Sequence, residues 1–236
     1  MLRWSRVFVG DGTRRPGAKD RAYESVKQQI LTGTLPGGEL VSEGEIAAAL
    51  TMSRTPVREA FLRLESEGLL RLYPQRGALV VPVSPGEVRS VIEARLVLEQ
   101  FAAHKVSCQS VATRAAVVGR LRERMEQQRC DGEAGSMAGF LDNDRLFHTV
   151  LLDAAGNPLL LGLYSSLRDR QVRMIGESAV RDPLRMATIL DEHARIADAV
   201  EAGDVEAGLD AVRVHLLGTV SALGLAMERV EGLSGA

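Results

Sequence analysis

Apolar residues recur every three or four positions along most of the chain, the spacing that brings them onto one face of an α-helix. Before residue 84 this pattern predicts helices at about 19–31, at 42–50 and within 53–70. After residue 84 the pattern is nearly continuous, and Gly- and Pro-containing breaks divide it into helices at about 85–107, 110–130, 136–155, 158–176, 183–202 and 204–229. Because the connections are short, we expect a mostly α-helical protein with a C-terminal antiparallel bundle of about six helices.

A different pattern interrupts the helices once. The β-prone runs 69–73 and 78–83 flank the turn Pro74–Gly77 and predict a small β-hairpin with Arg76 at its basic tip. Only residues 51–53 separate the second helix from the third, which is helix-turn-helix geometry. The N-terminal part therefore reads as a winged helix-turn-helix, whose wing could reach a DNA minor groove.

The chain divides near residue 83. Ser84, followed by Pro85 and Glu87, is typical of the start of a helix, with Ser as N-cap and Pro in the first helical position. We expect a flexible tail at 1–18, a winged helix-turn-helix domain at 19–83 and a helical domain at 84–230.

The third helix carries residue types that suit DNA at its beginning. Arg54, Thr55 and Arg58 project from its first turns, while its apolar residues form the opposite face. A guanidinium can bond guanine bidentately, and a helix N-terminus attracts phosphate. From the charge pattern alone, an ordinary solvated helix pair is an equally good interpretation.

Charge separates the two parts. Residues 1–82 contain 12 Lys and Arg against 9 Asp and Glu, whereas residues 83–236 contain 17 against 22, so the formal net charge of −2 averages a basic part and an acidic one. Only the N-terminal part suits a phosphate backbone. No run reaches the roughly 18 apolar residues of a membrane span, and the first 20 residues lack an apolar leader. We therefore expect a cytoplasmic protein without a membrane partner, with Cys108 and Cys130 reduced.

Three of the four histidines lie on apolar faces of different predicted helices. Asp144 and His148 are four residues apart and share one face, and His193 and His215 lie on the apolar faces of the last two helices. A single core histidine is more often structural than a ligand. Burying three with a carboxylate would be costly unless they were paired, and one divalent cation would satisfy all four. Both interpretations stay open, and for a metal the affinity order favours zinc, with nickel, manganese or iron as alternatives.

Arg95 lies on the apolar face of the predicted helix 85–107, where a permanently charged group needs a carboxylate partner. Glu99, one turn later, could supply it, and this would make Arg95 structural. The other interpretation is that Arg95 binds the carboxylate of a small effector. Arg168 and Arg213 are weaker candidates, for which a solvated face is the simpler explanation.

The segment 43–81, EGEIAAALTMSRTPVREAFLRLESEGLLRLYPQRGALVV, resembles the winged helix-turn-helix of the GntR family of bacterial transcription regulators. The resemblance implies that Arg54, Thr55 and Arg58 contact double-stranded operator DNA, with Gly77 at the wing tip, where a small residue permits close approach. Gly44 departs from relatives that have arginine there, so their operator preferences do not transfer.

The C-terminal motif Asp144-x-x-Phe147-His148, with His193 in EHARI and His215 in HL, resembles the ligand-sensing domain of the FadR subfamily. The resemblance implies Asp144, His148, His193 and His215 as metal ligands. It also supports Arg95 as a contact for a small carboxylate effector bound at an open metal position. His104 has no counterpart in the motif, and we expect it to be partly exposed.

The leading hypothesis is a homodimeric repressor that releases operator DNA when an organic acid binds in the metal-containing bundle. It is not expected to be an enzyme. Two alternatives remain: a metal-dependent enzyme, since such a site could activate water, and a regulator whose metal is purely structural.

Overall fold

The structure of the protein is a computed structural model that describes residues 17–181 and 184–225; the side chains of residues 168, 180 and 181 are not described. Ten helices and three strands form within these residues. They are α1 (Ala18–Leu31), β1 (Leu40–Val41), α2 (Glu43–Ala49), α3 (Arg54–Ser66), β2 (Leu70–Tyr73), β3 (Gly77–Val80), α4 (Pro85–Ser107), α5 (Val111–Glu133), α6 (Met137–Ala154), α7 (Pro158–Ser166), α8 (Arg168–Arg181), α9 (Arg185–Ala202) and α10 (Val205–Ala222). The predicted fold class, a winged helix-turn-helix followed by a helical bundle, is confirmed.

The N-terminal helices bury one apolar face each around a common core. Val57, Phe61 and Leu64 of α3 are completely buried against α1, and the exposed face of α3 stays polar. Ser42 and Glu45 form a capping box that begins α2, because the Ser42 hydroxyl accepts from the Glu45 amide and the Glu45 carboxylate accepts from the Ser42 amide. The tight turn at 51–53 then leads directly into α3.

The wing is a three-stranded antiparallel sheet in the order β1, β3, β2. The sequence predicted only the hairpin of β2 and β3, because the two residues of β1 are too few to show an alternating pattern. Gly77 has a φ of +98°, and a Cβ there would lie 2.5 Å from the carbonyl oxygen of Val41. Glycine at position 77 is thus required inside the sheet, where the backbones of β1 and β3 meet.

Helices α4 to α10 form the bundle. As predicted, Ser84 caps α4, and its hydroxyl accepts from the Glu87 amide at 3.1 Å. In the centre α5 packs against α6 and α9, while α4 packs against α6 and α10. Their shared apolar faces form the largest core of the described residues, with fully buried members such as Ile92, Leu121 and Phe147.

One helix boundary in the bundle was predicted wrongly. The expected helix 158–176 is two helices, α7 and α8, which meet at Leu167, so seven described helices stand where about six were expected. Neither glycine nor proline marks this break. The hydroxyls of Ser165 and Ser166 instead donate to backbone carbonyls of the preceding turn, at 2.8 and 2.6 Å, and side-chain bonds of this kind compete with the helix.

The last helix also ends earlier than predicted. α10 stops at Ala222, because Gly224 adopts a φ of +71° and reverses the chain. Residues 226–229 of the predicted helix and the tail predicted for the first residues lie outside the described residues, apart from Gly17 and the start of α1. None of the helices in 17–181 and 184–225 is long and apolar enough to cross a membrane.

Helix α8 joins the two parts of the protein. Its residues 171–179 are all buried, and it packs against α1 as well as against α6 and α10. A Cβ at Gly176 would lie 2.4 Å from the carbonyl oxygen of Leu31, at the end of α1. The backbones of the winged helix and the bundle are therefore in direct contact at this point.

Candidate functional site

Four buried side chains from three helices converge in the bundle. α6 contributes Asp144 and His148 from successive turns, α9 contributes His193 and α10 contributes His215, and none is more than 1% exposed. Each belongs to the packed face of its helix, which is why the four meet when these faces come together. Their candidate ligand atoms all lie within 4.8 Å of one another. The structure thus brings together the four residues that the sequence predicted as metal ligands.

The spacing of these atoms suits a single metal ion. Nε2 of His215 lies 3.1 Å from Nε2 of His148, and Nε2 of His193 lies 3.6 Å from Oδ1 of Asp144. Two ligand atoms bound at about 2.0–2.1 Å to a tetrahedral zinc ion lie about 3.3 Å apart, between the two observed distances. Three imidazole nitrogens and one carboxylate oxygen are a donor set that zinc and the neighbouring divalent metals accept.

Two of the histidines have a hydrogen-bond acceptor at Nδ1. Nδ1 of His193 lies 3.1 Å from Oε1 of Gln128, and Nδ1 of His215 lies 2.9 Å from Oε2 of Glu192. An acceptor at Nδ1 favours the tautomer with its proton there and leaves the Nε2 lone pair free for a metal. The Gln128 amide also donates to Oδ1 of Asp144 at 3.3 Å, so one side chain orients two of the four candidate ligands.

The third histidine faces a carboxylate that is itself paired with an arginine. Nδ1 of His148 lies 2.8 Å from Oε2 of Glu99, at contact distance but poorly aligned for a hydrogen bond. Nε of Arg95 donates to the other oxygen of Glu99 at 2.6 Å. Burial alone would raise the pKa of Glu99, but the charge of Arg95 and the contact with His148 outweigh it and lower the pKa to about 2. Glu99 is therefore an anion that faces His148.

The protonation and hydrogen bonding of the clustered histidines suit a bound cation. Nε2 of His193 is fully buried and has no hydrogen-bond partner among the described residues. Burial lowers the pKa of His193 well below its ordinary value, and the nearby histidines and arginines add to this effect. Burial also lowers the pKa of His215, although Glu192 partly offsets it. Both imidazoles are thus neutral at pH 7, which is the form that binds metal.

Arg185 anchors the carboxylate behind His215. Its Nη1 donates to Oε1 of Glu192 at 2.8 Å, and its Nη2 donates to the backbone carbonyl of His215 and to Oγ1 of Thr219, both at 3.2 Å. Gly218 leaves room for this arrangement, since a Cβ there would lie 2.7 Å from both Arg185 and Glu192. Glu192 thus has fixed partners on both of its oxygens.

Sequence reasoning missed most of these supporting residues. Glu99 was recognised as a partner for Arg95, and this pair is present in the structure, but its contact with His148 was not expected. Glu192 had a signal that went unused, because it directly precedes His193 on the same helix. No sequence signal marked Gln128. It is completely buried, but it lies on a strongly polar helix, where a glutamine is ordinarily expected to be exposed.

The residues predicted to contact DNA lie on the surface of the winged helix. Arg54, Thr55 and Arg58 are exposed in the first two turns of α3, and Arg76 is exposed in the turn between β2 and β3. The side chain of Arg58 is 73% exposed, and its one described ion pair, to Glu43, is 3.4 Å long. These cations are therefore accessible to a phosphate backbone.

Two glycines near this surface have structural roles. Gly77 was predicted at the wing tip for close approach to DNA, but the structure gives it an internal reason, the contact with Val41 described above. A Cβ at Gly44 would lie 3.3 Å from the Arg54 guanidinium, so any larger residue would touch that side chain. The departure at Gly44 therefore leaves Arg54 more room to move.

The remaining candidates lie outside the cluster. His104 is exposed near the end of α4, as expected. Arg213 is exposed and bonds Asp210 at 2.5 Å on its own helix, in agreement with the solvated alternative. The side chain of Arg168 lies outside the described residues.

Comparisons with known proteins agree with both parts of the fold. Residues 18–80 match the family described as bacterial regulatory proteins, gntR family, and residues 90–218 match the FCD domain. Together these matches cover most of the described chain, and the FCD match alone covers more than half of the sequence.

Similar proteins are named as regulators. An uncharacterized HTH-type transcriptional regulator of Streptomyces ambofaciens is 30% identical over 82% of this chain and 80% of its own length. The HTH-type transcriptional repressor RspR of Escherichia coli strain K12 is 29% identical over 82% of this chain and 83% of its own. A GntR transcriptional regulator structure from Rhodococcus sp. RHA1, 24% identical, has the same fold with a TM-score of 0.64 over 89% of this chain and 99% of its own. The chain therefore belongs to the gntR family of bacterial regulatory proteins, as a DNA-binding transcription regulator with the FCD domain of the FadR subfamily.

Proposed function

We propose that the protein is a homodimeric repressor that binds a small organic acid beside a divalent metal ion in its helical domain and then releases operator DNA. The observation that carries this proposal is the convergence of three Nε2 atoms and one carboxylate in a single buried cluster. Without a shared cation these groups would carry a large desolvation cost.

The proposed metal ligands are Asp144, His148, His193 and His215, and the proposed metal is zinc, with nickel, manganese or iron as alternatives. When bound, the ion would supply Lewis-acid binding of a carboxylate oxygen at a fifth coordination position, beyond the four protein ligands. The chain supplies the orientation of the ligands, through the acceptors at the Nδ1 atoms of His193 and His215 and the Gln128 amide that donates to Asp144. It also excludes bulk water, because all four side chains are buried.

Arg95 is the proposed contact for the effector. It is 1% exposed and bonds Glu99 through Nε, but its Nη2 has no hydrogen-bond partner within the described part of the chain. A buried N–H group without an acceptor is costly, and a carboxylate beside the histidines would supply one. Arg95 is therefore proposed to bind effector while keeping its ion pair with Glu99.

Operator DNA is proposed to contact Arg54, Thr55 and Arg58 in the major groove, and Arg76 and Gly77 at the wing. The exposure and positive charge of Arg54, Arg58 and Arg76 support this assignment, and Thr55 is exposed beside them. Because half-sites of a near-palindrome require two copies in fixed spacing, we propose a homodimer. Effector binding would shift the population away from the spacing that fits the operator.

Three further assignments belong to the proposal. The domains are set at 19–83 and 84–230, after a tail at 1–18. The protein works in the cytoplasm, where its DNA target lies. It is not an enzyme, so a carboxylate that binds in the bundle is released without chemical change.

A thermal-shift screen tests the proposal. Zinc-loaded and metal-free protein are each heated with a panel of small carboxylates, and the midpoint should rise for at least one acid in the zinc-loaded form only. The control is Asp144→Ala, which should respond to none. Equal responses with and without zinc would contradict a sensing role for the metal.

The same samples separate the two alternatives. The stabilising acid is incubated with the holoprotein and then analysed by mass spectrometry. Recovery of unchanged acid supports a sensor, whereas a product would make the protein an enzyme. If zinc binds but no acid changes the midpoint, the metal is structural.

A further inference from the structure

A cleft of about 660 Å³ lies between the winged helix and the bundle. α1 and the C-terminal end of α3 form one wall, and the start of α4, the end of α7 and the start of α8 form the other. None of the four clustered metal-ligand candidates lines it. Its volume falls within the range of small-molecule sites. Its charged lining residues are Lys27, Arg63, Arg170, Arg173, Glu67, Glu87 and Asp169.

The carboxylates of this cleft already have partners. Nζ of Lys27 lies 3.1 Å from Glu67 and 2.7 Å from Asp169, so it bridges α3 to α8. Nε of Arg170 lies 3.3 Å from Glu87. The lining holds four cations and three carboxylates, and Glu177 faces Arg173 from the same helix, so the charges are nearly balanced and the capacity for an anion lies in the unbonded N–H groups of Arg173.

Arg173 is the cation without a matching acceptor. It is 5% exposed, and the carboxylate of Glu177, one turn later on α8, lies 3.6 Å from its Nε, beyond hydrogen-bond distance. Neither Nε nor Nη2 of Arg173 has a hydrogen-bond partner among residues 17–181 and 184–225. Two adjacent N–H groups of a guanidinium form the edge that binds carboxylate or phosphate bidentately.

The cleft is separate from the proposed DNA contacts. Arg54 and Arg58 lie in the first turns of α3, whereas the cleft contacts Arg63 and Glu67 at the other end. At 1.5 Å per residue, the 13 residues of α3 span roughly 20 Å. A ligand in this cleft therefore need not compete with operator DNA for the same residues.

We propose that this cleft binds a second small ligand through an oxyanion group, a phosphate or a carboxylate, with Arg173 as its main contact. Lys27, Arg63 and Arg170 supply the surrounding positive charge. Because the ligand would touch α1, α3 and α8 together, it would fix the winged helix against the bundle. The site does not depend on the metal.

Isothermal titration calorimetry of the full chain with inorganic phosphate tests the proposal, with acetate and citrate titrated in parallel to distinguish phosphate from carboxylate ligands. Arg173→Gln should weaken binding of the preferred anion by about tenfold or more, since a hydrogen-bonded charge contact is lost. The matched control is Arg122→Gln, an exposed arginine of α5 whose partners are Asp198 and Glu201. It should bind like the wild type.

A gain of affinity provides a test that misfolding cannot imitate. Glu87→Gln removes one carboxylate from the cleft and should tighten binding of the same anion several-fold, while metal-free wild type should bind it like the zinc-loaded form. If no anion binds at about 10 mM, where even a weak site would fill, the proposal is wrong. It is equally wrong if binding is unaffected by both Arg173→Gln and Glu87→Gln, or disappears with the metal.

Discussion

The winged helix and the bundle place their charged groups in opposite environments. Arg54, Arg58 and Arg76 of the winged helix are exposed, and Arg58 has only a 3.4 Å ion pair with Glu43, whereas His193 and Asp144 of the bundle are at most 1% exposed. An exposed cation costs little to leave unpaired, since water solvates it until DNA arrives. A buried polar cluster must be satisfied by the protein or its ligand at all times.

Mutations should therefore be tolerated differently in the two regions. Single changes on the DNA surface should weaken binding in small, separable steps, because each exposed arginine acts largely alone. Changes in the bundle should act through shared partners, since Gln128 contacts both His193 and Asp144, and Glu192 bonds both His215 and Arg185.

Removal of a candidate ligand should have the largest effect. His148→Ala should lower zinc affinity by more than about 100-fold, beyond the 10- to 100-fold loss typical of residues that only orient ligands. Competition with a chromogenic chelator measures the affinity. The control is His104→Ala, an exposed histidine of the same protein, which should bind zinc like the wild type. Equal zinc affinity in His148→Ala and His104→Ala would show that His148 is not a metal ligand.

A supporting residue should have the next largest effect. Gln128→Ala removes the acceptor at His193 and the donor to Asp144, and zinc affinity should fall about 10- to 100-fold. Gln127→Ala, the exposed neighbour on the same helix, is the matched control and should leave the affinity unchanged. If the two variants behave alike in the chelator competition, Gln128 does not orient the ligands.

On the DNA surface, Arg58→Ala should cost about 1–3 kcal/mol of operator binding, since one base or phosphate contact is lost. A mobility-shift assay with a promoter fragment measures it, with Arg120→Ala, an exposed arginine of α5, as the control. Zinc content should be the same in both variants. An unchanged mobility shift for Arg58→Ala would mean that α3 is not the reading helix.

The smallest effect concerns a carboxylate between the two regions. Burial would raise the pKa of Glu67, but hydrogen bonds from Tyr23 and Lys27 outweigh it and lower the pKa. The ionised form therefore adds stability above the unfolded pKa of about 4.3, and this contribution is lost as the pH falls through the folded pKa. Glu67→Gln should reduce the free energy of unfolding by less than about 1 kcal/mol at pH 7.

Denaturant unfolding of wild type and Glu67→Gln at pH 7 and at pH 3.5 checks this prediction. The difference should shrink at the lower pH. Glu123→Gln, an exposed carboxylate of α5, should show no comparable difference. If the difference in the free energy of unfolding between wild type and Glu67→Gln were larger at pH 3.5 than at pH 7, the prediction would be wrong.

Much of the fold was predictable because its helices carry clear apolar faces and recognisable ends. Ser42, Ser84 and Gly203 each lie at a predicted helix boundary, and the structure has a cap at each. The break between α7 and α8 was not predictable in this way, since it depends on serine side chains that bond the backbone locally. β1 was missed because two residues cannot show a period of two.

The candidate metal ligands could be predicted for a related reason. Asp144 and His148 are four residues apart, and helical geometry alone places them on one face. The partners behind the histidines depend on how α4, α5 and α9 pack together. Gln128 and Glu99 are completely buried only in that packed state, and sequence spacing carries no information about it.

X-ray absorption spectroscopy at the zinc edge of the zinc-loaded protein tests most directly whether the three histidines and Asp144 bind one ion. We expect one ion with three imidazole nitrogens at about 2.0–2.1 Å and at least one oxygen ligand. A hydrated ion without imidazole scattering, or a spectrum with sulfur from the exposed Cys108 or Cys130, would contradict the assignment of Asp144, His148, His193 and His215.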